Sequence, residues 1–366
     1  MKEAGDIAAV SVPFTAGIAA GTLAASHMSG SMVWTTASVV IIICGMLMFV
    51  QFYGRSGYGT VVLLFLAAGL SCSLTHGMCV NDSVRPGWLS SILRTCSESF
   101  HREIELVRFP HDTTNQLISA FLTGDRGGLT EKQTEAFRTS GASHILALSG
   151  LHLGVIYMIV CRLSSVAGNS RPARIIRAST VILLSGFYAM MTGAGPSIAR
   201  ALLFIIINEI GKLQPERKRS TVRTLLAALT LQLSFNPAVI TSLGFQLSYL
   251  AMAGIAVIFP EMSSWYPRGR HVDPLARIWD SFSMAVSCQI LTAPVVWMRF
   301  RTFPRYFIIT NLFALPLTSA IMTLSVATLV MQSMGICPEI LLKACDSAVQ
   351  TLYFILENIS GMQTAG

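Results

Sequence analysis

Residues 306–332 read YFIITNLFALPLTSAIMTLSVATLVMQ and contain no Asp, Glu, Lys or Arg. An α-helix needs about 20 apolar residues to cross the hydrocarbon core of a bilayer, so this run predicts a transmembrane helix. Similar apolar runs occur at 7–26, 32–52, 60–78, 144–163, 176–192, 196–211, 221–238, 242–260, 280–298 and 340–359. The sequence therefore predicts an all-α polytopic membrane protein with about 10–11 transmembrane helices, some of them broken or re-entrant.

The composition agrees with a membrane protein and excludes other classes. Charged residues make up 12% of the 366 residues, against roughly 25% in soluble domains. Hydrophobic residues make up 52%, and the mean hydropathy is +0.60. The eight cysteines are too few and too scattered for a disulfide-rich secreted scaffold. The formal charge of +8 resembles that of a nucleic-acid-binding protein, but basic residues also collect in the cytoplasmic loops of membrane proteins.

The basic loops predict the orientation of the chain. Four arginines and no acid lie at 162–177, and a second basic group lies at 212–223. The positive-inside rule makes both loops cytoplasmic. Counting back along the spans, the N-terminus is cytoplasmic and the polar segment 80–142 is extracytoplasmic. The chain then divides into a three-span region at 1–79, a linker at 80–142 and a second membrane region at 143–366.

The predicted linker contains two short amphipathic segments and part of a cysteine pair. Asn115–Leu122 and Thr130–Arg138 have mixed faces typical of short helices, and the Gly-rich stretch 124–128 predicts a turn between them. Cys79 lies immediately before the polar segment 80–142 and Cys96 lies within it, and both are expected outside the membrane. In an oxidising compartment they could form a disulfide, or they could be two free thiols; the sequence leaves both open.

The segment Ser143–His152, SHILALSGLH, lies where a predicted span enters the membrane from outside. On an ideal helix His144 and His152 lie about 80° apart, so that both could face one cavity. A metal site would need a third ligand at a known spacing, and a nucleophilic Ser149 would need a GxSxG elbow; neither is present. The alternative is that Ser149 and Gly150 let helices pack closely.

The segment 192–201 contains a Gly-Pro pair and an intramembrane cation. The turn at Gly193 and Gly195 ends one span, and Pro196 begins the next in the first helical turn, where its missing N–H costs little. Arg200 then lies about one turn inside the span, where a charge usually faces the bundle interior or an aqueous cavity. The other reading is that Arg200 snorkels to the outer interface.

Polar residues also interrupt later spans. Gln246 and Ser248 follow Gly244 in GFQLSYLA at 244–251, and Asn311 lies in the run at 306–332. Such groups could tie helices together by hydrogen bonds or line a hydrated path. No acidic residue is predicted deep in a span, and no internal repeat is visible.

The loop 297–307, WMRFRTFPRYF, has three arginines among five aromatic residues. Alternating spans place this loop outside, where arginine should be scarce. Either the span count is off by one and the loop is cytoplasmic, or the loop receives a single nucleic-acid strand, with bases stacked on aromatics and phosphates held by arginines. The candidate residues of this mouth are Arg299, Phe300, Arg301, Phe303 and Arg305.

Together, the runs at 144–152, 193–201 and 244–251, with Asn311 and Pro316, resemble the ComEC-type competence family over roughly residues 115–330. The resemblance implies that 143–366 is a channel domain in the bacterial inner membrane that passes single-stranded DNA into the cytoplasm during natural transformation. It implies a channel path formed by His144, Ser149, Gly150, His152, Arg200, Gln246, Ser248 and Asn311. It implies structural positions at Gly193, Pro196, Gly244 and Pro316.

The chain departs from longer family members. It shows no alternating strand pattern for an oligonucleotide-binding-like domain and no HxHxDH signature of a metallo-β-lactamase-like domain, so a short form is expected. The implied partners are single-stranded DNA, membrane lipids, a competence DNA receptor, a cytoplasmic translocation ATPase, a separate nuclease and further copies of the chain. No cofactor, metal or enzymatic activity is expected.

Two other functions remain open on the residues alone. One is a secondary transporter or exporter of a small or lipid-linked anion, because a basic polar path would suit such a substrate. That class should show inverted repeats and an acid deep in a span. The other is a membrane-embedded hydrolase using Ser149 and His152, which should show a carboxylate that orients the histidine.

Overall fold

The computed structural model describes residues 2–27, 32–33, 36–44, 58–79, 88–165, 168, 170–213, 220–266, 274–301, 306–336 and 338–364. All regular structure in these ranges is helical, which confirms the predicted all-α class. The helices are α1 (Lys2–Ala25), α2 (36–44), α3 (Tyr58–Cys79), α4 (Trp88–Leu106), α5 (Asp112–Thr123), α6 (Glu131–Thr139), α7 (Ser143–Leu146), α8 (Gly150–Ser164), α9 (Arg171–Met191), α10 (Pro196–Leu213), α11 (Thr221–Phe235), a 3₁₀ turn (Pro237–Thr241), α12 (Leu243–Ser264), α13 (Pro274–Phe300), α14 (Phe307–Ser333) and α15 (Glu339–Thr364).

Within the described residues, six helices are long and apolar enough to cross a membrane. They belong to α1, α3, α9, α12, α13 and α14, and α8 and α11 are shorter apolar helices. The predicted spans at 196–211 and 340–359 are helical, but α10 and α15 each carry several charged residues and are not among the six. About half of the predicted span 32–52 lies outside the described residues, and its described part includes α2. The protein is a multi-pass membrane protein.

The chain forms two compact units that differ from the three predicted regions. One unit comprises 1–85 and 206–256, and the other comprises 86–205 and 257–366. In the first unit, α1 and α3 pack backbone to backbone. A Cβ on Gly17 would lie 2.0 Å from the carbonyl oxygen of Leu66, and a Cβ on Gly69 would lie 2.1 Å from that of Phe14. Only glycine permits this approach.

The second unit unites the predicted linker with the following membrane region. The predicted helices at 115–122 and 130–138 are confirmed as α5 and α6, and α4, which the sequence reading did not predict, precedes them. One hydrophobic core is shared by the five consecutive helices from α4 through α8 and by α14 and α15. Its members include Ile104, Phe121, Phe137, Ile145, Val155, Ile321 and Leu352. Residues 88–142 therefore belong to the same compact unit as α8, α14 and α15.

Helix α15 has a polar side that packs against residues just before and within α5 and α6. Asp346 is 6% exposed and accepts hydrogen bonds from Thr114 Oγ1 at 2.5 Å and His111 Nδ1 at 2.9 Å. Further along, Glu357 pairs with Lys132 at 2.7 Å. The sequence predicted a transmembrane span at 340–359, and one side of this helix carries polar contacts to residues just before and within α5 and α6. A lipid-facing helix could not satisfy these groups with lipid.

Candidate functional site

The segment Ser143–His152 forms two helices and not one. The short helix α7 ends at Leu146, Ala147 and Ser149 are extended, and α8 begins at Gly150. The ideal-helix geometry behind the expectation that His144 and His152 could face one cavity therefore does not apply. His144 is exposed, with Nδ1 3.2 Å from the carbonyl oxygen of Gly141. His152 is completely buried.

Ser149 and His152 build the N-terminal cap of α8. The Oγ of Ser149 accepts a hydrogen bond from the N–H of Leu151 at 3.2 Å. The backbone N–H of Ser149 donates to Nδ1 of His152 at 3.2 Å, and Ser149 Oγ lies 3.0 Å from the same nitrogen. This is a capping box in which histidine replaces the usual Glu or Gln. Because Nδ1 accepts the backbone N–H, a neutral ring carries its proton on Nε2.

Arg200 lies against the first residue of α8. It follows the start of α10 at Pro196 and is 8% exposed. A Cβ on Gly150 would lie 2.8 Å from Nη2 of Arg200 and 3.4 Å from Cβ of Ala201. Gly150 therefore provides the space that the guanidinium occupies. This burial favours the interior position predicted for Arg200 over snorkelling to the interface. The predicted path residues Ser149, Gly150, His152 and Arg200 thus meet at one helix N-terminus.

The segment after α5 supports this helix N-terminus and was missed as a functional element. Arg126 Nε donates to the carbonyl oxygen of Leu146 at 3.1 Å. Gly124 has a φ of +82°, and a Cβ there would lie 2.3 Å from Cδ1 of Leu148. Tyr188 OH donates to the carbonyl oxygen of Leu122 at 2.8 Å. The one sequence signal was the Gly-rich turn, which predicts a loop but no contact.

The remaining predicted path residues lie elsewhere. Gln246 is in the other unit, where its Nε2 donates to the carbonyl oxygen of Ile240 at 2.9 Å and holds the 3₁₀ turn. Ser248, also in that unit, is half-buried. Asn311 is in the same unit as Arg200, and its buried Oδ1 has no hydrogen-bond partner among the described residues. Its neighbour Thr310 donates to the carbonyl oxygen of Ser140 at 2.8 Å.

The four predicted structural positions are placed as follows. Gly193 has a φ of +82° in the turn between α9 and α10, and Pro196 is the first residue of α10. Gly244 is exposed near the start of α12, and within the described part of the chain no atom outside its own helix lies within 4 Å of its Cβ position. Pro316 is exposed inside α14.

The candidate DNA mouth is described only in part. Arg299 and Arg301 are exposed, and Arg301 has a φ of +54° as its N–H donates to the carbonyl oxygen of Trp297 at 3.0 Å. The side chain of Phe300 and residues 302–305, with Phe303 and Arg305, lie outside the described residues.

Two acids lie near the ends of helices that the sequence predicted as spans. Asp280 lies within the apolar part of α13 and accepts a hydrogen bond from Ser263 Oγ at 2.6 Å. Glu209, expected in a loop, lies in α10, is 2% exposed and pairs with Lys212. Asp280 is six residues from the start of its span and Glu209 is near the end of α10, which is not among the six candidate spans, so the expectation that no acid lies deep in a span stays a prediction.

Two further features of the described residues concern the predicted Cys79–Cys96 pair and possible metal ligands. Cys96 is a free, half-buried thiol, so the disulfide alternative is not formed, and the side chain of Cys79 lies outside the described residues. Across the described ranges, no group of three His, Cys, Asp or Glu residues is placed to hold a metal ion.

Comparison with known proteins places the chain in a family. It is 31% identical over 221 residues to ComE operon protein 3 of Bacillus subtilis (strain 168), covering 51% of this chain and 27% of that protein. It is 25% identical over 213 residues to the Uncharacterized protein YcaI of Escherichia coli (strain K12), covering 57% of this chain and 28% of that protein. The chain thus spans just over a quarter of the length of these relatives. No solved structure matches it. The model of the competence protein family matches residues 121–366, more than half of the chain, and the chain belongs to this ComEC-type family.

Proposed function

We propose that this protein is the membrane channel of natural transformation that passes single-stranded DNA into the cytoplasm. Membership of the competence protein family supports this role, as do six helices able to cross a membrane. We place the protein in the bacterial cytoplasmic membrane, with its N-terminus in the cytoplasm and residues 80–142 outside, following the distribution of basic residues in the loops.

The observation that carries this proposal is the buried Arg200 at the N-terminus of α8. A single strand carries one phosphate charge per nucleotide, so its path needs cationic contacts. A guanidinium presents a planar fork that binds phosphate oxygens in pairs, and the N-terminus of a helix adds the positive end of its dipole. Arg200 and the start of α8 combine both features at Gly150.

The same geometry favours conduction over hydrolysis. Ser149 Oγ is 3.0 Å from His152 Nδ1, as in a catalytic pair, but it also receives the N–H of Leu151 as a helix cap. A serine hydrolase needs a carboxylate that orients the histidine. Nε2 of His152 has no hydrogen-bond partner in the described part of the chain, and the ring is completely buried. We therefore propose that the protein is not an enzyme.

The test is uptake of labelled DNA by a strain that lacks this chain and is complemented with variants at matched protein levels. We expect Arg200→Ala to reduce uptake by about tenfold or more, the size expected for loss of a hydrogen bond to a charged group. Arg200→Lys should restore part of the activity, because lysine keeps the charge but not the fork. Arg138→Ala, which removes an exposed arginine paired with Glu135, is the control. Wild-type uptake by Arg200→Ala would refute the role of Arg200.

The anion transporter remains the competing function, and the acids at Glu209 and Asp280 are the observations that favour it. Purified protein in liposomes separates the two proposals. A DNA channel admits a labelled single-stranded oligonucleotide, whereas a transporter accumulates a small anion and excludes the oligonucleotide. A competence DNA receptor, a translocation ATPase, a separate nuclease, membrane lipids and further copies of this chain are the partners that we propose for the channel.

A further inference from the structure

The contact between Gly150 and Arg200 joins the start of α8 to the start of α10. Hydrogen bonds and packing link both of these regions to the segment 122–126. We call residues 146–150, which connect α7 to α8, the motif corner. On one side of the corner, Arg126 Nε donates to the carbonyl oxygen of Leu146. Leu148 packs against Gly124, where a side chain would collide with it. The segment 122–126 therefore fixes the position of the corner and of the helix that begins there.

Arg200 is tied to the same segment through Tyr188. Tyr188 lies one turn before the end of α9, and its backbone carbonyl accepts the N–H of Thr192 at 3.0 Å in the turn that leads to α10. Tyr188 packs in one hydrophobic cluster with Ile198 and Ala201, which flank Arg200. The position of its ring is therefore coupled to the first turns of α10.

The hydrogen bond of Tyr188 has a specific structural cause. Leu122 lies in the last turn of α5, where carbonyl groups have no partner within the helix. Leu122 is completely buried, and Tyr188 is 6% exposed. A buried carbonyl needs a donor, and the hydroxyl of Tyr188 supplies it at 2.8 Å. The bond connects α9 to the residues immediately before Gly124 and Arg126.

We propose that Tyr188 and Arg126 are positioning residues that hold the guanidinium of Arg200 against the N-terminus of α8, where it contacts the phosphates of a single strand. This inference rests on the proposed function. Arg126 fixes the corner and Tyr188 fixes the helix that carries Arg200, and both act through the short segment after α5. Neither side chain is required to contact DNA.

A double-mutant cycle tests the inference on the purified full-length chain in detergent. The affinity for a fluorescein-labelled single-stranded oligonucleotide is measured for Tyr188→Phe, Arg126→Ala and Arg200→Ala, and for each positioning variant combined with Arg200→Ala. We expect Tyr188→Phe and Arg126→Ala each to weaken binding about fivefold alone, the size of one ordinary hydrogen bond, and to have little further effect once Arg200 is alanine. Arg126→Lys should recover part of the affinity.

Thermal unfolding measured on the same variants distinguishes positioning from general stabilisation. A stabilising role alone lowers the unfolding midpoint equally in both backgrounds and leaves the affinity of the folded protein unchanged, which would overturn the inference. Equal losses of affinity with and without Arg200 would also overturn it. No effect of Arg200→Ala itself would instead overturn the proposed function. Tyr353→Phe, at a half-buried tyrosine of α15, and Arg138→Ala are the matched controls.

Discussion

A Cβ on Gly150 would lie 2.8 Å from Nη2 of Arg200, closer than side-chain carbons normally approach another atom. The two residues are 50 positions apart in sequence, and their contact places a guanidinium at the first turn of α8. The neighbouring atom is the end of a flexible side chain, so a larger residue at position 150 would displace Arg200 before it displaced a helix.

We therefore expect Gly150→Ala to impair transport more than it impairs folding. Alanine is a better helix former than glycine, by up to about 1 kcal/mol in a helix interior and less at the first residue of a helix, so little of the packing strain is offset. Arg200 must move by several tenths of an ångström. Uptake and the unfolding midpoint are measured together. Gly154→Ala, in the same helix, is the control and should retain wild-type uptake, because no described residue outside the helix comes within 4 Å of its Cβ position. Equal behaviour of the two variants would contradict the packing role of Gly150.

The crossing of α1 and α3 gives a prediction about stability. At Gly17 and Gly69 the atoms that a Cβ would meet are backbone carbonyl oxygens, which cannot turn away. Gly17→Ala or Gly69→Ala should therefore force the helices apart and destabilise the protein by about 1–3 kcal/mol, the range for overpacked sites. Gly59→Ala, at the start of α3, where no described residue outside this helix comes within 4 Å of the Cβ position, should leave the unfolding midpoint unchanged. An unchanged midpoint for Gly17→Ala would show that the crossing is looser than described.

Substitutions in the N-terminal cap of α8 test whether Ser149 has a structural or a catalytic role. Ser149→Ala removes the cap and should cost about 0.5–2 kcal/mol of stability, with uptake reduced only in proportion to the folded protein. His152→Gln keeps a capping box, because glutamine is a usual residue at this position, and should be milder than His152→Ala. Abolished transport by well-folded Ser149→Ala would instead support the hydrolase alternative.

The docking of α15 depends on a buried carboxylate. Asp346 accepts hydrogen bonds from Thr114 and His111, so Asp346→Ala leaves Thr114, which is completely buried, without this partner. We expect a loss of about 1.5–3 kcal/mol, as for other hydrogen bonds to charged groups. Lys132→Ala breaks an ion pair whose side chains are 76% and 46% exposed and should leave the unfolding midpoint unchanged. Similar midpoints for the two variants would mean that Asp346 does not anchor α15.

The local parts of the fold could be predicted from sequence, and the contacts could not. Lipid forces apolar segments into helices, and turn residues delimit short amphipathic ones, so α5 and α6 were predicted within a few residues. The break before α8 was missed because the cap at Ser149 has histidine, not Glu or Gln, three residues later. The polar side of α15 was missed because the mean hydropathy of the segment is dominated by its apolar residues. Asp346 accepts a hydrogen bond from Thr114, 232 positions away, and no local pattern shows this.

For the candidate site, too, the sequence identified individual residues but not the contacts between them. Arg200 and Gly150 were identified by a charge inside a span and by family resemblance, but no local pattern predicts that they touch. Tyr188 was missed because a tyrosine near the end of a span is typical of the membrane interface. Its role depends on an unpaired carbonyl at Leu122, which only the structure shows.

The basic and aromatic segment 297–307, which includes the end of α13, gives the last prediction. Arg299 and Arg301 are exposed at the end of α13, and aromatic side chains stack on bases for about 1–3 kcal/mol each while arginines hold phosphates. If this loop is the entry mouth, a single cysteine in Thr302→Cys, in a cysteine-depleted protein, should react with a membrane-impermeant thiol reagent on intact cells, and added single-stranded DNA should slow the reaction. Ser143→Cys, at an exposed position predicted outside, and Ser165→Cys, at an exposed position in a predicted cytoplasmic loop, calibrate the two sides. Labelling of Thr302→Cys only after the membrane is opened, as expected for Ser165→Cys, would place the loop in the cytoplasm and rule out the mouth.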